Sequence, residues 1–487
     1  MYTFSNRLKI FSLVLMVLGA IGLGVGFLSA PSTVEEAQAQ LESAHGDGHG
    51  GDHSSGHLFA QEQEDHGDTS HATQEGEHHS EDSHSHDAGH GEEAHHGDDH
   101  SAAAGHHGGD HGDAHGEHAD HHGEHLLNSM KNRPWSAFYA GAFFFFMISL
   151  GVLAFYAVNR AAQAGWSPIL FRIMEGITAY IVPGGIIVFV FLMLSALQFN
   201  HIFVWADPEV VAHDELIQGK KSYLNPVAFL IRAVLFLGGW IFYRQYSRKL
   251  SLAQDEASDN KPFIKNFRWS AGFLVFYLVS ESMMSWDWIM SLDPHWFSTL
   301  FGWYVFASMF VSGITTIAIV TIYLKSKGYL EEVNDSHIHD LAKFMFGISI
   351  FWTYLWFSQF MLIWYANIPE EVTYFDMRFE HYKLPFLGML VLNFVFPLLV
   401  LMHSHYKRIN WFVIATGIVI LFGHYMDVFN MIMPATVGEH WHLGIPEIGG
   451  ILFFAGLFIY VVFSTLAKES LTPKRNPLLE ESRQFHY

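Results

Sequence analysis

Residues 134–158 read PWSAFYAGAFFFFMISLGVLAFYAV, a run without a single charge. A helix needs roughly 20 mostly apolar residues to cross the hydrocarbon of a bilayer, so this stretch makes the chain a membrane protein. Working outward, comparable runs occupy 9–28, 173–199, 226–243, 270–290, 298–324, 344–365, 385–403, 411–433 and 448–467. The expectation is an all-α polytopic membrane protein with ten transmembrane helices. The first run follows Arg7 and Lys9 as a signal peptide would, but its core is long and Leu28-Ser29-Ala30 is a poor cleavage site. It reads as a retained helix.

The acidic balance of the chain, 48 Asp and Glu against 26 Lys and Arg, comes from one segment. Between Ala30 and Met130 there is no basic residue, yet 23 of the acids and 22 of the 34 His lie there. The rest of the chain is nearly neutral, and nothing in its charge pattern points to nucleic acid. Repeats such as HSHDAGHGEEAHH, with almost no large apolar residue, offset little chain entropy, so 31–133 is expected to be a disordered His/Asp/Glu-rich periplasmic loop. Its metal affinity would be loose and incidental, or a function in itself. The chain has no Cys, which excludes thiolate-held iron–sulfur clusters, C-x-x-C-H haem attachment and Cys-zinc sites.

With ten spans and a cytoplasmic N-terminus, 19 basic residues fall on the inner side and six on the outer. That satisfies the positive-inside rule and places both termini in the cytoplasm. The organisation expected is a first transmembrane helix in 1–30, the His-rich loop in 31–133, a nine-helix membrane domain in 134–467 and a cytoplasmic tail in 468–487.

Ionisable groups inside a membrane are costly and mark function by default. Arg232, Glu281, Asp287, His424 and Asp427 all fall within the runs. At about 1.5 Å per residue, Arg232, Glu281, His424 and Asp427 lie roughly 9–14 Å below the outer end of their helices, with Asp287 nearer the surface. His424, Asp427 and Asn430 follow at i, i+3, i+6 and share one face. A carboxylate beside an imidazole can hold its tautomer and pass protons, so His424 and Asp427 could form a relay. The competing structural reading is an ion pair in which Arg232 neutralises Glu281 or Asp427. Glu175 reads as an interfacial carboxylate near Arg172. Tyr354, Ser358 and Tyr365, with Gln359 beside them, could form a polar stripe. Asp293, His295, Glu370, Glu371, Glu439, His440 and His442 could gather above the bundle. A haem between helices fails on depth, because His403 and His424 differ by about 15–20 Å in level. No metal site is assigned.

Three runs are distinctive: SESMMSWDWIMSLDPHWFSTLFGWY (280–304), WFSQFMLIWYANIPEE (356–371) and FGHYMDVFNMIMP (422–434). They resemble the ActF-type integral membrane subunit of bacterial alternative complex III, a relative of the NrfD/PsrC membrane proteins. The resemblance covers nearly all of 134–467 and excludes the His-rich insertion. It implies two four-helix bundles, helices 2–5 and 6–9, plus two peripheral helices. It also implies a bacterial inner-membrane complex that oxidises a quinol, usually menaquinol, and passes electrons to a cytochrome c or a terminal oxidase. An iron–sulfur subunit and multihaem cytochrome c subunits would hold the clusters and haems. The quinol site would lie in an ActC-like sister subunit, which leaves this chain a proton-conducting or structural role without redox centres and makes Glu281, Asp287, His424 and Asp427 candidates for a proton pathway. Quinone-binding residues stay unassigned. Two readings compete: a divalent metal transporter with a His-rich loop, and a pure scaffold subunit.

Overall fold

In a computed structural model the backbone is described for residues 2–46 and 113–486. The expectation of disorder over 47–112 lies outside these residues. The described chain is helical throughout, without strands. Nine helices among the described residues are long and apolar enough to cross a membrane. They are α1 (Asn6–Leu28), α3 (Asp113–Ala161, apolar from Leu126), α4–α5 (Phe171–Ile177 and Ile181–Ala196, continuous through a 3₁₀ turn), α6 (Pro226–Glu256), α8 (Leu300–Ser326), α9 (Asp335–Ala366), α11–α12 (Lys383–Leu390 and Phe396–Leu401), α13 (Asn410–Val437) and α14 (Ile445–Leu466). The tenth expected crossing is α7, Lys261–Trp288, a helix of 28 residues whose Glu281, Asp287 and four serines lower its hydropathy. Helix α10 (Pro369–Glu380) and α2 (Val34–Gly46) are shorter and polar.

Local chemistry explains the boundaries. Helix α6 begins where the Asn225 side chain accepts from the Ala228 amide at 2.9 Å, with Pro226 in the first turn. Helix α9 begins at Asn334, which caps the amides of Ser336 and His337, and ends at Asn367 in the left-handed region, φ 47°. Helices α5, α6 and α7 pack in succession as one group, with Tyr139 and Phe146 of α3 against Phe191 and Trp240; α9 and α13 pack on α8, and α11 on α13, as another. Helix α8 lies against both α7 and α13, and α1 packs along α14.

One boundary needs correction. The expected loop 31–133 is helical at both described ends. Val34–Gly46, rich in Glu, Ala, Gln and Leu, has the composition of a helix, and α3 starts at Asp113, twenty-one residues before Pro134. The tail 468–487 is docked. Asp255 accepts from the Lys474 amide (2.9 Å), Gln254 donates to the Arg475 carbonyl (3.1 Å), Ser482 donates to the Trp166 carbonyl (2.7 Å) and Asn334 donates to the Phe485 carbonyl (2.7 Å). The segment thus touches the ends of both α6 and α9.

The α1–α14 seam is built from glycine. A Cβ at Gly19 would stand 2.2 Å from the Phe453 amide nitrogen, and one at Gly449 would stand 2.8 Å from the Gly22 carbonyl carbon. Such contacts are with backbone and cannot relax. Gly19→Leu is expected to cost at least the roughly 1–3 kcal/mol of an overpacked interior, read as a lower melting temperature in detergent. Gly24→Leu, where nothing lies within 4 Å of the added Cβ, should be silent; equal effects would show that the seam does not matter.

Candidate functional site

Helix α13 carries His424 and Asp427 one turn apart, both wholly buried. Asp427 accepts from two donors on two other helices: the Tyr304 hydroxyl of α8 on one oxygen, and the Trp352 indole of α9 at 2.9 Å on the other. His424 Nδ1 lies 2.9 Å from Ser308 Oγ and 3.5 Å from Asp427, while its Nε2 is buried without a partner. Asn393 completes the ring, with Nδ2 3.5 Å from His424 Nδ1 and Oδ1 unpartnered. Asn393 stands in a π-helical turn, Val391–Val395. Pro397 has no N–H to offer the Asn393 carbonyl, so the helix widens there, and π turns of this kind mark functional sites. Gly423 opposite leaves the room: a Cβ on it would meet Asn393 Oδ1 at 2.1 Å.

Polar groups continue on both sides of this core. Toward the N-terminal end of α13, Ser312 and Thr316 extend the α8 row at four-residue spacing, and Ser349, Thr315 and Thr416 present buried hydroxyls without partners. Thr416 lies about 12 Å from His424 along α13. Toward the C-terminal end of α13, a cavity of about 230 Å³ is lined by Asp293, Trp296, Tyr374, Arg378, Met431 and Pro434. Arg378 is buried and donates to the Asn430 carbonyl at 2.9 Å. That carbonyl is free because Pro434, four residues on, has no N–H. Its guanidinium covers the Tyr374 ring at 3.4 Å. The cluster thus brings together a carboxylate fixed by two donors, an imidazole with one unpartnered nitrogen, and hydroxyls on either side, all groups able to take up or pass a proton.

Glu281 and Asp287 are not part of this cluster. Both are on α7, and among the described residues no hydrogen bond or ion pair joins them to His424 or Asp427. The expected Arg232–Glu281 pair is replaced by Arg232–Asp287: the guanidinium Nε reaches Asp287 Oδ2 at 2.6 Å and Nη2 reaches Oδ1 at 3.1 Å. An arginine stem is long enough to snorkel toward a helix end, and Asp287 lies about 9 Å nearer the C-terminal end of α7 than Glu281. Tyr223 closes this site, its ring 4.0 Å from the Arg232 guanidinium. Glu281 is 2% exposed and its Oε1 has no partner.

At the other end of the same helix group, Glu175 is a hub. It takes Arg172 at 2.8 Å, Arg160 at 3.6 Å and the Tyr156 hydroxyl at 3.0 Å, while Arg172 also holds Asp255 at 2.6 Å. The reading of Glu175 as a partner of Arg172 fits this; its burial and its second arginine were not foreseen.

The expected polar stripe of α9 points the wrong way. Tyr354 is 63% and Tyr365 84% exposed, and the inward face carries Trp352 and Gln359. The outer-loop groups do not converge. His295 pairs with Asp214 at 2.6 Å, Glu439 lies between His381 (3.5 Å) and His440 (3.8 Å), and Glu370, exposed, and Glu371, half-buried, stand in the first turn of α10. The Ile217 amide and then His295 hold Asp214 below the usual carboxylate range. Among the described residues no three His, Asp or Glu side chains gather to hold a metal ion.

Sequence reading missed Tyr304, Ser308, Trp352, Asn393 and Arg378. A signal existed for two of them: Tyr304, Ser308, Ser312 and Thr316 recur every four residues and mark one polar face of an otherwise apolar helix. Compared with known proteins, the chain matches no family model, and no curated protein is significantly similar to it.

Proposed function

We propose that this chain is a membrane subunit of a quinol-oxidising respiratory complex of the alternative complex III type, contributing a proton pathway and structural support. The observation that carries the reading is the wholly buried His424–Asp427 pair with its Tyr304, Trp352 and Ser308 donors and an open His424 Nε2. Two of the three runs that resemble the ActF-type proteins supply this core: 280–304 ends on Tyr304, and 422–434 contains His424 and Asp427. In this reading α7 is the tenth crossing, both termini are cytoplasmic in a bacterial inner membrane, and the relay takes protons through α8, α9, α11–α12 and α13. Glu281 and Asp287 stand apart from it, Asp287 in an ion pair. An ActC-like sister subunit, an iron–sulfur subunit and multihaem cytochrome c subunits supply the menaquinol site, clusters and haems, and a terminal oxidase or a cytochrome c accepts the electrons. Purification in mild detergent tests the assignment: multihaem and iron–sulfur proteins should accompany the chain, and isolation without them under several mild conditions would overturn it.

Asp427→Asn preserves shape and removes the ionisable group. The variant is expected to assemble with normal haem content while proton movement in proteoliposomes slows about 100-fold, the scale of a lost acid–base group. Electron transfer, carried by other subunits, should persist. Unchanged proton movement would leave only the structural role. Glu281→Gln serves as the comparison: its carboxylate holds no ion pair, so assembly should be intact.

A further inference from the structure

Between α6 and α7, in the middle of α6 and on the side of Glu281 toward the end of the bundle where residues 474 and 475 dock, runs a groove of about 530 Å³. Phe242, Trp269 and Phe276 wall it, the Phe276 ring covering Gly239, Gly272 leaves it open, and Arg268 stands at its edge. Its floor is rigid: the Tyr243 and Phe273 rings stack at 3.8 Å, and Tyr243 hydrogen-bonds Ser270 at 2.7 Å.

Two further facts bear on what occupies it. Arg268 is exposed and has no carboxylate partner among the described residues. It lies about 10 Å inside the start of α7, the depth at which a basic side chain snorkels to the headgroup layer. Lys265, one turn nearer the end, rests over the Tyr246 ring at 5.6 Å, and Arg248 and Lys249 on α6 add positive charge to the same end. A slot that is aromatic and apolar along its length and cationic at one rim matches a molecule with a hydrocarbon chain and one anionic head.

We propose that this groove is a binding site for an anionic phospholipid, one acyl chain lying over Gly272 along the Phe276 and Trp269 rings and the phosphate meeting Arg268. The charge at the rim selects the lipid, and Gly272 admits its chain.

The test uses the protein purified in mild detergent and stripped of lipid, titrated with phosphatidylglycerol or phosphatidylcholine while thermal unfolding is followed. Phosphatidylglycerol should raise the melting temperature and phosphatidylcholine should not. Arg268→Gln should weaken the apparent affinity about fivefold, the worth of one basic residue at a membrane surface. Gly272→Leu should abolish the response without lowering the lipid-free melting temperature, because an added Cβ there meets nothing within 4 Å. Lys468→Gln, a charge change outside the groove, should leave the response alone. Equal responses to both lipids, a full response in Gly272→Leu, or an equal loss in Lys468→Gln would overturn the site. Reproduction of the shift by glycerol phosphate alone would also overturn it, since no chain would then be bound.

Discussion

Arg232→Met is expected to be among the most damaging single changes in the membrane domain, and Asp287→Asn on top of it should restore most of the loss. Asp287 is wholly buried and Arg232 nearly so. Removing the cation strands a carboxylate away from water, a cost of about 3–5 kcal/mol, whereas removing both charges can be close to neutral. Yield of monodisperse protein and its melting temperature in detergent are the measurements. The second-site test is decisive about the partner: Glu281→Gln should not rescue Arg232→Met. Rescue by Glu281→Gln and not by Asp287→Asn would show that the pair had been misassigned.

Glu175→Gln should be comparably severe. Its carboxylate neutralises Arg172 and Arg160 and receives Tyr156, all buried. Without it two guanidinium groups share Asp255 alone, and only Arg172 reaches that residue. The expected loss is again about 3–5 kcal/mol. Asp255→Asn should cost less, because Asp255 is partly exposed and Arg172 keeps Glu175. A Glu175→Gln protein as stable as the parent would mean that the arginines find other partners or water.

The helices were readable because a bilayer demands about 20 apolar residues at a time, and every expected run corresponds to a helix. What lies between them was harder. The Glu175–Arg172 pair sits at i, i+3 on one helix and could be read locally; Arg160 and Asp255 come from other helices and could not. Arg232 faced two carboxylates on α7, and spacing along the chain does not say how far a long side chain bends toward water. On α9, hydroxyls and aromatic rings suit both lipid and interior, so composition pointed to Tyr354 and Tyr365 while the inward face was that of Trp352 and Gln359. His424 and Asp427 were legible because charge in a membrane is rare. Their partners Tyr304 and Trp352 are ordinary membrane residues, and only packing identifies them.

The glycine seam between α1 and α14 also has a history within each molecule's synthesis. More than 400 residues separate Leu28 from Ile445, and at roughly 5–20 residues per second a ribosome needs about 20–80 s to cover them. Throughout that interval Gly19 and Gly22 face the bilayer with nothing seated on them. The pairing of these two helices is therefore a late event in biogenesis, and a nascent chain arrested before Ile445 should be indifferent to Gly19→Leu.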